Sequence, residues 1–419
     1  MVDEFTKPSY QEQVMEANMK YAFSDLGIYR TYLIDGPPSR KDVFKLNAFV
    51  ACCGASADEK TFYELLKITT GTTDKIEKRT GNVGINLTFG SDYGLDLRKV
   101  ASVQKISCPE DNEAASPVRI VRYDEKFYFA IADTRITEVN PMSAPEWVNV
   151  DVNGKKASSI LQNELGNLMG AIPTITVGGK RYQSCSYIEE GSRCNFCALE
   201  RKPKDVTPTD FAEVARMAYR ENEFTTVTLT GGNTISKNRG IEKYVPYVSA
   251  INEMCNIPIE VEVSPPRDVK IIGDIADAGA TSFMSNIEVF NKRRRSVVCP
   301  AKSNIPIEDY MKAFRAADCF GLEIYSVLIV GLEPTESTLN GVEFLARGGV
   351  TSVPLPFKPI SGAVFGKKLP TNPRIYLETA RAAIDIMKDY GVEPSSRKLS
   401  GCSTCGGCSV EMDEVRNSR

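Results

Sequence analysis

From about residue 172 the chain alternates short runs of β-branched and apolar residues with stretches of helical periodicity, joined by short connections. Strands are predicted at 175–183, 225–232, 257–263, 282–290, 323–331 and 351–357. Helices are predicted near 207–220, 240–254, 268–278, 306–317, 335–347 and 373–390, the first with Thr207 or Thr209 as its N-cap and Pro208 in its first turn. Strands that alternate with helices pair in parallel, because the helix carries the chain back across the sheet. Right-handed crossovers then curl the sheet into a partial (β/α)6 barrel, an α/β fold whose reactive groups gather where the strands end.

The flanks read differently. Residues 1–170 mix helical stretches (58–69 and 160–169) with strand candidates (83–90 and 127–133), which predicts an α+β accessory domain. Residues 171–360 form the predicted barrel, and 361–419 add a helix followed by LSGCSTCGGCSV. Lys plus Arg number 51 and Asp plus Glu 54, so nothing in the charge balance suggests a nucleic-acid or membrane-surface partner. No apolar run approaches the roughly 18 residues of a spanning helix, and the expected location is cytoplasmic.

There are 12 cysteines and no histidine. Catalytic triads built on histidine and His-ligated zinc are therefore excluded. Six cysteines fall into two groups: Cys185, Cys194 and Cys197, then Cys402, Cys405 and Cys408. In a reducing compartment such groups more often bind metal than form disulfides. The spacing C-x8-C-x2-C suits a [4Fe–4S] cluster with one iron left open, whereas a structural zinc site needs a fourth ligand from another cysteine or a carboxylate. Phe196, just before the third cysteine, offers an apolar shield. The terminal trio also wants a fourth ligand, for iron or for zinc, and Cys299 beside a proline is the candidate. The remaining cysteines, Cys52 and Cys53 among them, read as small buried hydrophobes.

At this point the chain resembles the radical S-adenosylmethionine (SAM) enzymes. Cys194-Asn195-Phe196-Cys197 matches the second half of their cysteine signature, although the first gap is longer than usual. Gly231 and Gly232 stand where that family's second strand meets the SAM amino group, with Asn233 in place of a glutamate. The resemblance makes Glu262, Ser264, Asn286 and Glu288 candidates for the ribose and carboxylate contacts, and places Gly331 near the adenine. It implies that SAM fills the open iron and is cleaved to a 5′-deoxyadenosyl radical, so the protein is oxygen-sensitive and requires an electron donor.

Within that superfamily the chain resembles the cobalamin-dependent branch that C-methylates an arginine of methyl-coenzyme M reductase, a protein substrate. This implies cobalamin binding by the C-terminal part. Without histidine the protein has no imidazole to place beneath the cobalt, and Leu332 after the fifth strand is the candidate to cover that face. Two other readings stay open from the residues: a peptide-modifying radical SAM enzyme with an auxiliary iron–sulfur site and no cobalamin, and a non-catalytic zinc scaffold.

Overall fold

The computed structural model describes residues 38–71, 82–106, 116–131, 134–171, 176–177, 180–181, 185–198, 206–222, 225–360, 362–394, 401 and 405–417. The N-terminal part runs α1 (Arg40–Cys53), β1 (Ala55–Asp58), α2 (Glu59–Thr70), β2 (Asn82–Phe89), β3 (Leu97–Ile106), β4 (Val118–Tyr123), β5 (Lys126–Ile131) and β6 (Thr134–Pro141). The predicted helix at 58–69 is α2, and its start is set by the Asp58 side chain accepting from the Thr61 amide at 2.9 Å. Strand β3 alternates buried Leu97, Lys99, Ala101 and Val103 with more exposed neighbours, as a strand with one buried face must. The six strands close into a small barrel in the order β1-β3-β2-β6-β5-β4. Closure rests on β1, which pairs in parallel with both β3 and β4 and so leaves no free edge. Its apolar filling includes Ile85, Leu87, Phe89, Val118, Ile120 and Phe129.

The second sheet follows two short elements, β7 (Asp151–Val152) and β8 (Lys155–Lys156), which form a hairpin. Strands β9 (Gln162–Glu164) and β10 (Asn167–Ala171) open the sheet, and β11 (Thr176–Val177) with β12 (Lys180–Arg181) makes a second small hairpin. The rest alternates: α3 (Ser186–Glu189), α4 (Pro208–Glu221), β13 (Thr226–Thr230), α5 (Val245–Cys255), β14 (Ile259–Glu262), α6 (Ile271–Asp277), β15 (Ser282–Met284), α7 (Lys292–Val298), α8 (Ile307–Cys319), β16 (Glu323–Val330), α9 (Thr335–Arg347), β17 (Thr351–Pro356), α10 (Pro373–Asp389) and α11 (Glu411–Asn417). The strand order is β17-β16-β15-β14-β13-β10-β9. All pairs from β10 to β17 are parallel, and β9 lies antiparallel on the edge.

Two expectations need correction. The first parallel strand is β10, at 167–171, and the stretch expected to fill that role at 175–183 carries the β11–β12 hairpin instead. The helix expected at 160–169 is replaced by β9 and β10. Side-chain pairing explains the choice: Asn167 donates to Thr228 Oγ1 at 3.1 Å and accepts from Thr226 Oγ1 at 2.9 Å across the β10–β13 ladder. Gly170 lets helix α4 approach, since a Cβ there would lie 2.4 Å from the Phe211 ring.

The C-terminal segment packs onto the small barrel. Ala48, Ala51 and Cys52 of α1 meet Tyr376, Leu377 and Ala380 of α10, together with Val410. The Val100 amide donates to the Gly407 carbonyl at 3.0 Å. Lys99, fully buried, places its ammonium 2.7 Å from Asp413 and also donates to the carbonyls of Gly406 and Ser409. Asn47 completes the site by donating to the same carboxylate at 2.9 Å. Among the described residues no helix is long and apolar enough to cross a membrane.

Candidate active site at the strand ends

Because β10 and β13–β17 run the same way, their C-terminal ends lie along one rim. The residues after each strand therefore face a common space. Cys185 follows β10, Gly231 to Asn233 follow β13, Glu262 ends β14 with Ser264 just beyond, Asn286 and Glu288 follow β15, and Gly331 to Glu333 follow β16.

Cys185 opens the single-turn helix α3, and its sulfur receives backbone N–H groups of Tyr187, Ile188 and Asn233. Burial pushes this thiol up, and those three hydrogen bonds oppose the shift. Ser186 ties the loop to the end of β13, donating both its amide and its hydroxyl to the Asn233 carbonyl at 2.9 Å. The pair Cys194 and Cys197 sits on a tight turn closed by the Cys197 amide on the Cys194 carbonyl at 3.1 Å. Asn195 anchors that turn to the end of α7 through the carbonyls of Val298, at 2.8 Å, and Val297, at 2.7 Å. Cys194 and Phe196 pack on an apolar cluster that holds Met284, Val289, Cys299, Tyr325 and Leu332. The Cys185 thiol lies within electrostatic reach of Cys194, although among the described residues the ligand atoms grouped within 4.8 Å are those of Cys194, Glu288 and Cys299. Thiols supplied with backbone donors and screened by an aromatic ring suit an iron–sulfur cubane.

The polar residues of the rim form a connected set. Asn233 Oδ1 accepts from the Ser264 amide at 3.3 Å, and Asn286 donates to Glu262 at 2.6 Å while accepting from the Val327 amide at 3.0 Å. Burial raises the Glu262 carboxyl, against hydrogen bonds from Thr230 and Asn286. Ser264 is 3% exposed and its hydroxyl has no hydrogen-bond partner among the described residues. A buried hydroxyl left without a partner at the mouth of a parallel sheet fits a polar ligand such as SAM. Gly331, at φ 96, is required by its backbone and by Thr371, whose Oγ1 a Cβ would approach to 2.5 Å. Leu332, expected beneath cobalamin, is 3% exposed in the apolar cluster that supports Cys194.

Two rim residues escaped the sequence reading. Lys243 donates to the Gly232 carbonyl at 3.0 Å, and burial brings its ammonium down to about 8 against the opposing pull of Cys185. Glu333 accepts from the amides of Phe290, at 3.0 Å, and Asn291, at 2.7 Å, which holds the loop after β15. Its signal was present in the sequence, as an acid directly after the strand-ending Gly331-Leu332.

Cys299 is a correction. It was expected among the terminal cysteines, yet α7 returns it to the rim, where Cys194, Cys299 and Glu288 place their ligand atoms within 4.8 Å of one another. Its thiol is held well above the ordinary range by a hydrogen bond with Cys194, by burial and by the Glu288 charge. Glu288 accepts from Lys302 Nζ at 2.7 Å and from Cys299 Sγ at 3.1 Å, so its carboxylate turns toward these two.

Of the terminal trio, Cys402 lies outside the described residues. Cys405 donates to the Glu164 carbonyl at 3.3 Å, and burial pushes its thiol to about 12. Cys408 keeps an exposed surface, but the protein crowds it closely enough to raise its thiol as well. Its charged neighbours are Lys358, Glu164 and Lys99, whereas those of Cys299 are Glu288, Cys194 and Lys302. Cys52 of α1 shares Lys358 and Lys99 with it.

A parallel sheet with thiols and polar side chains along its C-terminal rim is an arrangement suited to holding a cofactor. Residues 191–346 match the model of the radical SAM superfamily. The match takes in Cys194 and Cys197 and begins after Cys185, as the long first gap would have it. The chain is similar to the bacteriochlorophyllide c C-7(1)-hydroxylase of Chlorobaculum limnaeum, 23% identical over 240 residues, or 49% of this chain and 58% of that protein. It therefore spans little more than half the length of that relative. Among solved structures, methylornithine synthase aligns at a TM-score of 0.44 and 15% identity, covering 61% of this chain and 72% of the other. Streptococcus suis SuiB bound to S-adenosylmethionine aligns at 0.36 and 13%, covering 50% and 45%.

Proposed function

We propose that the protein is a radical SAM methyltransferase that uses cobalamin to C-methylate an arginine of a client protein, the role of the methanogenesis marker radical SAM protein that acts on methyl-coenzyme M reductase. One observation carries the radical SAM part of this reading. The Cys185 sulfur is furnished with three backbone donors beside Cys194, on a loop tied to the Gly231–Asn233 strand end. Methyl transfer and the arginine client rest on the family resemblance.

A [4Fe–4S] cluster with SAM supplies an alkyl radical able to take hydrogen from an unactivated carbon. The chain's own residues hold and screen that chemistry. Cys185, Cys194 and Cys197 are the proposed cluster ligands, with Phe196 over them. Ser264 offers an unused hydroxyl, Gly232 and Asn233 offer backbone, and the Asn286–Glu262 pair lines the rim. Leu332 supplies an apolar surface that would keep water from the lower face of a corrinoid. Cys402, Cys405 and Cys408 are proposed to take an additional iron or zinc, with a fourth ligand other than Cys299.

The test is anaerobic incubation of reconstituted protein with SAM, a reductant, methylcobalamin and an arginine-containing peptide. Mass spectrometry should find one added methyl on arginine, together with 5′-deoxyadenosine. Formation of 5′-deoxyadenosine without corrinoid retention or methylation would replace this reading with that of a cobalamin-free peptide modifier. A protein that forms no 5′-deoxyadenosine and holds only zinc would sink the radical reading altogether.

A further inference from the structure

Cys194 faces two ways. Toward α3 it neighbours Cys185, and toward α7 its sulfur joins Cys299 Sγ and a Glu288 oxygen in a group spanning no more than 4.8 Å. That is the scale of one ion. Ligands about 2.0–2.3 Å from a tetrahedral centre stand roughly 3.5–4 Å apart. A cubane is a larger body and spreads its thiolates over separate corners.

The surroundings are those of a built site. Cys299 is 0% exposed and Glu288 is 7% exposed. The two oxygens of Glu288 are divided: Oε1 is held by Lys302 Nζ at 2.7 Å, and Oε2 faces Cys299 at 3.1 Å. Lys302 thus orients the carboxylate from behind, as outer groups do for metal-bound carboxylates. The Glu288 backbone is in the left-handed region, at φ 66, and is held there from two sides. Its amide donates to the Val327 carbonyl at 2.9 Å, and its own carbonyl accepts from the Ile329 amide at 2.7 Å.

We propose that Cys194, Cys299 and Glu288 form a single-ion site for a thiophilic divalent cation such as Zn2+, filled when the cluster is absent and excluded when it is present. The ion displaces the protons of both thiols to solvent, and water takes the fourth position. Two thiolates and a carboxylate then balance the dication together with the Lys302 ammonium, which leaves no net charge in the buried site. This inference rests on the radical SAM reading in one respect: Cys194 is shared with the cluster, so a bound zinc ion withholds it from cluster assembly.

Cobalt is the probe. Co2+ is added anaerobically to the full cluster-free chain, with Cys402, Cys405 and Cys408 replaced by serine to remove competing thiols. If that variant fails to fold by circular dichroism, the difference between wild type and C299S spectra gives the same information. The expected result is a thiolate-to-cobalt charge-transfer band that zinc abolishes. C194S or C299S removes it, E288Q or K302Q weakens binding by about 10–100-fold, and C185S leaves it intact. One equivalent of Zn2+ given before iron and sulfide should lower cluster yield in the wild type but not in C299S. A cobalt band unchanged by C299S, or one lost in C185S, overturns the proposal. These readouts use no SAM, so failure of the radical reading would show separately, as absent 5′-deoxyadenosine.

Discussion

The two cysteine-bearing regions differ in what accompanies the sulfur. At the rim, Cys185 has three backbone donors, and Lys243 and Lys302 stand near the thiols. At the seam between the small barrel and α10, Cys405 has one backbone donor, from Gly407, and the nearby Lys99 is committed to Asp413. Glu411, 0% exposed at the same seam, has neither carboxylate oxygen hydrogen-bonded among the described residues, and burial holds its carboxyl far above the ordinary range. Burial alone keeps thiols and acids protonated and inert, whereas burial with oriented N–H groups prepares a sulfur to carry charge.

The sharpest way to break this contrast is to exchange single thiols. Cys185→Ala should reduce both cluster iron and 5′-deoxyadenosine to background. Cys405→Ser should leave 5′-deoxyadenosine formation within about twofold of wild type, if the seam serves a separate function. Equal losses would erase the distinction.

The seam should instead dominate stability. Lys99→Met strands the Asp413 carboxylate in a buried site and should cost about 3–5 kcal/mol in urea unfolding. Lys105→Met, at the exposed pair with Glu59, should leave the midpoint unchanged. At the rim, Ser264→Ala should weaken SAM binding by roughly fivefold, the value of about one hydrogen bond, with no loss of folded stability because the hydroxyl has no partner to lose. The smallest effect concerns labelling of metal-free protein by iodoacetamide at pH 8. Exposed Cys319 should be modified within minutes, while Cys405, whose thiol titrates only near 12, stays protonated and unlabelled. Peptide mapping that finds both labelled alike would refute the account of the seam.

Local signals were legible where they sufficed. Thr207 and Pro208 announce α4, and the structure shows why: Thr207 and Asp210 cap each other at 3.0 and 3.2 Å. The rim residues after β13 to β16 were reached from strand ends together with the resemblance to the radical SAM enzymes. What escaped depends on distant partners. The four residues of β1 close a barrel only by meeting β3 and β4, and no periodicity in ASAD announces that. NLMGA reads as the end of a helix until Thr226 and Thr228 arrive to pair with Asn167. The Gly-Gly at 178–179 is a turn signal that argued against one long strand there. Cys299 was assigned by its count beside a proline, whereas its position follows from where α7 lands.

The ammonium of Lys99 and the carboxylate of Asp413 are 314 residues apart in the chain. A ribosome delivers the lysine long before its counter-charge, so during synthesis the small barrel must keep that side chain wet or neutral. It can seal its wall only once residues 406–413 have emerged, so this part of the barrel is completed well after its own strands have been made.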